Sequence, residues 1–503
     1  MNDVSMKRCI IIGSGLGGLS CGVILARNGY QVTILEQGTQ IGGCLQCFRR
    51  DGVKFETGMH FIGSAERGQT LHRLMHYLEM DNIPLSRLDK HGYDVISLSG
   101  ECFRLANGRG PFIEQLSERF PHETDHIVKY YDLIEEIAQA SSLHSLRQAD
   151  SNAAINTEYQ IRSIDNVVDS IITDPILRNV LVGNLPLYAA EKGKTPFATH
   201  AFITDFYNQS AFRIPGGSDA IVHSLTNTLR RYGGDVMTRK KVTRILCDSE
   251  KATGVVTEDE SHYAADLILA SVHPSRLIEM LPNTLLIRPA YRARIRQLPN
   301  TTGVFTVYMK FKPDAMPYLN HNYYGYRGLS PWACEQYTDD DWPRGFLYMH
   351  LCPTVTDGAI PRFAECGELL SYMRFDEVER WKGTQVGHRG ADYEAFKQAK
   401  AERLIDEADR QCPGLRAAIA AYWTSTPLTY LDYTGTEAGS MYGVAKDINK
   451  GAACHVQHKT KIPNLLLTGQ NINSHGMLGV LVGTIVTCSE LLTAETIYQQ
   501  IKE

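Results

Sequence analysis

The sequence predicts an α/β chain of two units: a parallel sheet of the doubly wound type assembled from separated stretches, and a mixed α+β unit inserted into it. Three observations carry this. Residues 8–36 read strand, glycine-rich turn, helix, strand, the opening of a βαβ unit. A second glycine-studded helix follows a short apolar strand near the other end. Between them, strand-like runs around 240–275 separate two longer stretches of helical and tyrosine-rich sequence.

The elements follow in order. RCIII (8–12) is apolar after its first residue, as a strand covered on both faces must be. GLSCGVILARNG (18–29) carries Ala and Leu inside and ends on a glycine, so it is a helix. YQVTILE (30–36) is the second strand. Helical periodicity returns in FIEQLSERF (112–120), IVKYYDLIEEIAQA (127–140) and IDNVVDSIITDPILRNVL (164–181). FRIPGGSDAIVHSLTNTLRRYGGDV (212–236) reads turn, helix, turn. KVTRILCD, KATGVVTED and DLILASVHP give three short strands ending near Pro274. TGVFTVYMKF (302–311) is a strand of another sheet, the stretch from about 395 to 422 is helical, and NLLLTG (464–469) is the last strand. The predicted division is therefore 1–75, 212–285 and 435–503 for the nucleotide unit, and 76–211 and 286–434 for the inserted one.

Bulk properties narrow the function. The chain has 503 residues, 43% hydrophobic and 21% charged, the balance of an ordinary globular protein. A net charge of −5 argues against a nucleic-acid partner. Twelve cysteines are too dilute for a disulfide scaffold. The first residues hold only a four-residue apolar run, too short for a secretory signal, so the expectation is a reducing cytoplasm. GMLGVLVGTIVTCSELL (476–492) is shorter than the roughly 20 apolar residues of a membrane span and is expected as a buried helix. Contact with one membrane leaflet stays open.

The motif GSGLGG places Gly13, Gly15 and Gly18 as G-x-G-x-x-G, with Ser14, Leu16 and Gly17 between them. Gly13 permits the turn after the strand, Gly15 lets a pyrophosphate reach the backbone, and Gly18 lets helix and strand approach. The N–H groups at the helix start then face the anion. Glu36 ends the next strand 18 residues after Gly18. Its carboxylate accepts ribose hydroxyls and repels a 2′-phosphate, so the site expects FAD or NAD and not NADP. The pair Gly42–Gly43 lies six and seven residues past Glu36 and suits a loop that folds back over FAD. Cys44 and Cys47 form C-x-x-C but lack a thioredoxin-like context and a second zinc-spaced pair, so they read as structural thiols and no metal is expected.

The run ILEQGTQIGGCLQCFRRDGVKFETGMHFIG (34–63) resembles the opening of the retinol saturase, carotenoid isomerase and phytoene desaturase family of FAD-dependent oxidoreductases. The shared features are a Leu-Glu-Gln strand end, a Gly-Gly-Cys loop, and a Phe-Asp-Thr-Gly-x-His segment, here Phe55-Glu56-Thr57-Gly58-Met59-His60. KIPNLLLTGQNINSHGMLGVLVGTIVTCSELL (461–492) is similar to the family's closing element, and IPGGSDAI (214–221) and GSMYG (439–443) to two further landmarks.

The resemblance implies a Rossmann-type FAD domain and a substrate domain of the amine-oxidase and phytoene-desaturase kind. It places Gly13 to Gly18, Glu36, Gln37, Gly42, Gly43, Gly58, His60, Val242, Gly469, Gln470, Gly476, Met477 and Gly479 around FAD. His60 and His475 are the candidates for moving a proton. It implies an apolar polyene or isoprenoid substrate, retinoid- or carotenoid-like, whose carbon–carbon double bond exchanges a hydride with the flavin. Saturation is favoured, with desaturation and isomerisation on the same fold open. Only one complete glycine fingerprint is present, so a dedicated NAD(P)H domain is not expected, and NAD(P)H and a quinone both stand as electron partner. Two other readings stay open: an amine-oxidase-like flavoenzyme on a small polar substrate, and a prenyl-binding protein without FAD, like Rab GDP-dissociation inhibitor. The intact fingerprint and Glu36 speak against the second.

Overall fold

The structure, a computed structural model, describes residues 6–141, 146, 158–353 and 360–501. Five parallel strands form the first sheet, in the order Asp235–Met237, Gln31–Leu35, Arg8–Ile12, Leu267–Ala270, Leu465–Leu467. Arg8–Ile12 is central, with Ile10 opposite Thr33 on one side and Ile268 on the other. Its side chains alternate between two cores, as strand geometry requires. Cys9 and Ile11 face the helices Leu16–Arg27, Asp219–Arg231 and Gly476–Leu492. Ile10 and Ile12 face a three-stranded antiparallel sheet, Val242–Cys247, Ala252–Thr257 and His262–Ala264. Every strand of the parallel sheet comes from the beginning, the 235–270 region or the end of the chain.

The second sheet has seven strands: Ile419–Ser425, Gly303–Phe311, Cys366–Met373, Gly345–His350, Asn322–Tyr326, Asp94–Leu98 and Glu101–Leu105. All neighbours are antiparallel except Asn322–Tyr326 and Asp94–Leu98. The helix Ala391–Gln411 packs on it. A small sheet of Ile62–Gly63, Ala211–Arg213 and Ser86–Arg87 joins the two parts of the molecule. There Arg213, only 2% exposed, donates to Tyr318 Oη (2.8 Å), Leu319 O (2.6 Å) and His321 O (2.8 Å). Both terminal nitrogens of this buried guanidinium are thereby matched, which offsets much of the cost of burying its charge.

Several expectations shift. The segment 419–422 is strand, not helix: the long helix ends at Gln411, Gly414 at φ +93° starts one further turn, Leu415–Ala418, and from Ile419 pairing with Gly303–Phe311 outweighs the helix preference of the alanines. The expected helix over 164–181 is two, Ile164–Ile171 and Pro175–Leu181. Asp174 caps the second by accepting the N–H groups of Ile176 (2.8 Å) and Leu177 (3.0 Å), with Pro175 at its first position. The span 212–236 has strand at both ends, and of the three strands ending near Pro274 only Leu267–Ala270 joins the parallel sheet. Among the described residues no helix is long and apolar enough to cross a membrane. Gly476–Leu492 lies in the core beside Leu16–Arg27.

Candidate active site

One large cavity, of about 870 Å³, runs from the glycine turn of the parallel sheet to the inner face of the seven-stranded sheet. Its nucleotide end is lined by Gly13, Ser14, Gly15, Leu16 and Gly17, by Glu36 and Gln37, by Gly42 and Gly43, by Val242, and by Gly469, Gln470, Gly476 and Met477. Gly58 and His60 line it too. Thus residues from four distant segments meet at one end of the sheet. Gly18 and Gly479 stand behind them. A Cβ on Gly18 would lie 2.1 Å from Gly13 O, and one on Gly479 would lie 2.7 Å from Ser474 Cβ, so both glycines serve close packing.

Gly15 decides whether this crevice fits a dinucleotide. Its backbone, at φ −64° and ψ 174°, is open to any residue, and a Cβ there would meet no protein atom within 4 Å. Nothing inside the chain requires glycine at this position; a ligand pressed against the main chain does. The helix that follows has no side-chain cap at its N-terminus, which leaves its first N–H groups for an anion. Glu36, 7% exposed, is held by its own chain. Its Oε2 accepts the N–H (3.0 Å) and hydroxyl (2.6 Å) of Ser14, and Oε1 accepts the N–H of Gly38 (2.8 Å). A carboxylate has about four acceptor positions, so the capacity left for a ribose is small. The Ser14 hydroxyl also accepts the Gly42 N–H at 3.2 Å, and Gly15 bridges to Gly42, so the returning loop is tied to the glycine turn. Ser14→Ala is therefore expected to cost about 1–2 kcal/mol through the buried groups left unpaired. Cofactor affinity is expected to fall about tenfold; urea unfolding of the apoprotein and a flavin titration check the two figures.

The family model for flavin-containing amine oxidoreductases matches residues 16–477. The chain belongs to that family. All-trans-retinol 13,14-reductase of Rattus norvegicus is 27% identical, the match covering 98% of this chain and 86% of the rat protein. Prolycopene isomerase of Daucus carota is 22% identical over 97% of this chain and 80% of the carrot protein. Among solved structures, an oxidoreductase from Methanosarcina mazei superposes with a TM-score of 0.63 at 14% identity, over 96% of this chain and all of that one. The enzyme is FAD-dependent, and the glycine crevice with its uncapped helix has the shape and free N–H groups that fit a dinucleotide.

Beyond the crevice the walls turn apolar. Phe61, Leu187, Val304, Phe346, Leu347 and Leu370 line this part. Of the tyrosine-rich stretch HNYYGYRG, only Tyr326 reaches the cavity, and the rest of its strand is core. Tyr430 and Tyr442 also line it, and Tyr430 donates to Thr57 O (2.8 Å), fixing the FETGMH loop. Tyr442 belongs to the landmark GSMYG (439–443), whereas Tyr430 sits in an unpatterned segment and did not stand out in the sequence.

The two candidate histidines differ. His475 precedes the helix Gly476–Leu492 and stacks on Tyr442, with ring centroids 4.3 Å apart. Burial, aided by Lys446, pulls it down to about 4, so it is a neutral ring at physiological pH. It is not one of the cavity-lining residues, whereas His60 is. His60 Nδ1 lies 3.2 Å from Glu368 Oε2 and 3.7 Å from Glu56 Oε2. Burial lowers its pKa, but Glu368 and Glu56 together outweigh that and the net direction is up.

Cys44 lines the cavity and Cys47 is buried with its thiol 3.5 Å from Ser218 Oγ. Burial pushes Cys44 up to about 11 and Cys47 up to about 12, so both stay protonated and poorly nucleophilic.

Proposed function

We propose that this enzyme saturates a carbon–carbon double bond of a long apolar polyene of the retinoid or carotenoid kind. FAD, when bound, supplies the exchange of a hydride. The observation that supports the substrate class is the continuity of the dinucleotide crevice with an apolar chamber inside one cavity of about 870 Å³. The relatives point the same way: the rat protein is named for the reduction of all-trans-retinol and the carrot protein for the isomerisation of prolycopene.

The chain's own part is to bind and exclude. The aliphatic and aromatic walls take up the polyene and keep water away, which strengthens every electrostatic interaction inside. The N-terminus of Gly476–Leu492 opens on the cavity through Gly476 and Met477, and its dipole favours negative charge there. NAD(P)H or a quinone supplies the electrons in this proposal, and the protein works in the cytoplasm, peripheral to a membrane leaflet from which so apolar a substrate is drawn.

Dithionite-reduced protein, incubated anaerobically with a panel of retinoids and carotenoids, tests the reading. The expected product is heavier by two hydrogens, with return of the yellow absorbance. Unchanged mass with altered geometry would replace saturation by isomerisation. Reoxidation by an imine in place of any polyene would identify a small-amine enzyme and sink the proposal.

A further inference from the structure

We infer that Glu368 is a positioning residue for proton transfer: its buried carboxyl holds His60 as the proton-bearing group on the cavity wall. The inference rests on the saturation reading above, in which a proton must accompany the hydride.

The geometry begins with a stranded oxygen. The Glu368 side chain lies on the strand Cys366–Met373 and is wholly buried. Its Oε1 accepts the backbone N–H of Glu56 at 3.1 Å, while Oε2 receives no hydrogen bond from any described residue. An ionised carboxylate left so, away from water, is costly. The cation within reach is His60, with Nδ1 3.2 Å from that oxygen. The nearby Arg213 guanidinium is already committed to Tyr318, Leu319 and His321. Glu56, the second carboxyl beside His60, is anchored by the N–H of Ser218 at 2.8 Å. Two carboxyls and one imidazole thus share a dry site whose only cavity-lining member is the imidazole.

Such a cluster retains a proton that an isolated histidine would lose. Burial pushes Glu368 up to about 8, with Glu56 adding repulsion and His60 opposing it. His60 is raised for the complementary reason, against a lowering contribution from burial and Arg213. The remaining ionisable neighbours are Tyr308 on the adjacent strand, Tyr430 and Cys366. All three are raised by burial and stay neutral in the physiological range. On the other side of Glu368 the paired residue is the apolar Met349.

FAD, when bound and reduced, would supply a hydride, and with it two electrons, to one carbon of the double bond. Its neighbour takes the proton of the His60 Nε2–H bond, the ring nitrogen turned away from the carboxyls. The electron pair of that bond stays on the imidazole, and solvent returns a proton to the cluster after product leaves. Below the pKa of the cluster the proton is present; as pH rises through it the proton is lost, so reduction slows on the alkaline side.

The test uses oxidised holoenzyme with ¹⁵N-labelled histidine and no substrate, beside single-turnover reduction of all-trans-retinol across pH. The His60 signal is assigned by its loss in His60→Gln. In the wild type it is expected to titrate above the ordinary imidazole value of about 6.5. In Glu368→Gln it is expected to titrate below that value, with reduction at pH 7.5 slowed about tenfold and the alkaline fall displaced to lower pH. Substrate affinity is expected to hold. Glu368→Asp keeps the charge one methylene further off and is expected to fall between the two, and it decides the matter if the glutamine variant does not fold. An unchanged His60 titration in a folded, yellow variant overturns the inference. Absence of retinol reduction in every form, with the His60 shift present, would instead sink the saturation reading and leave the coupled pair standing.

Discussion

Gly15→Val is expected to give a folded, colourless protein. The backbone at Gly15 (φ −64°, ψ 174°) is one that valine adopts, and the new Cβ would meet no protein atom within 4 Å. The direct cost to the fold is that of a poorer helix N-cap, about 1 kcal/mol. The methyl groups instead occupy the space in which a diphosphate must approach the main chain. We expect flavin affinity to fall at least about 100-fold, equivalent to about 2.7 kcal/mol. Holoprotein stability falls with it, because stabilisation by a bound ligand scales with the logarithm of its saturation. Flavin absorbance per protein, a cofactor titration and far-UV circular dichroism of the apoprotein measure the three parts. A yellow Gly15→Val protein with ordinary affinity would show that the diphosphate lies elsewhere.

Gly18→Ala, three positions on, is expected to fail for the opposite reason. A methyl group there would sit 2.1 Å from Gly13 O and 3.3 Å from Ser271 Cβ. The first obstacle is main chain, which no rotamer change removes. Separating helix Leu16–Arg27 from the central strand should cost about 3 kcal/mol or more, a large part of a total stability of roughly 5–15 kcal/mol. Low soluble yield, or an apoprotein with a much lower urea midpoint, is the outcome to look for. Unaltered stability of the apoprotein would mean that helix and strand are not in such close contact. The pair of variants separates a glycine required by a ligand from one required by packing, although both belong to one fingerprint.

That fingerprint was legible because its chemistry is local. Strand, turn, helix and Glu36 lie within 29 residues, and each residue type has a reason that depends on its near neighbours. The closing element was legible for the same reason, through Gly469, Gly476 and the apolar helix behind them. The strand at 419–425 was not, because its partner is Gly303–Phe311 and its own alanines favour helix. Glu36 was read for its charge alone, and its three bonds to Ser14 and Gly38 appear only once the loop is folded. His60 could be singled out, but not its surroundings. Glu56 lies four residues before it, whereas Glu368 is 312 positions from Glu56 and arrives by the packing of one strand against another. Nothing in the run CGELLSYM distinguishes that glutamate from an exposed one.

The parallel sheet places Leu465–Leu467 beside Leu267–Ala270, and a Cβ on Gly17 would touch Gly469 at 2.9 Å. Translation therefore delivers the first wall of the crevice long before the last. A nascent chain halted short of residue 465 would carry the whole fingerprint and still lack the surface on which the turn rests. Flavin uptake during synthesis would then mark the moment at which the ribosome has released the final strand.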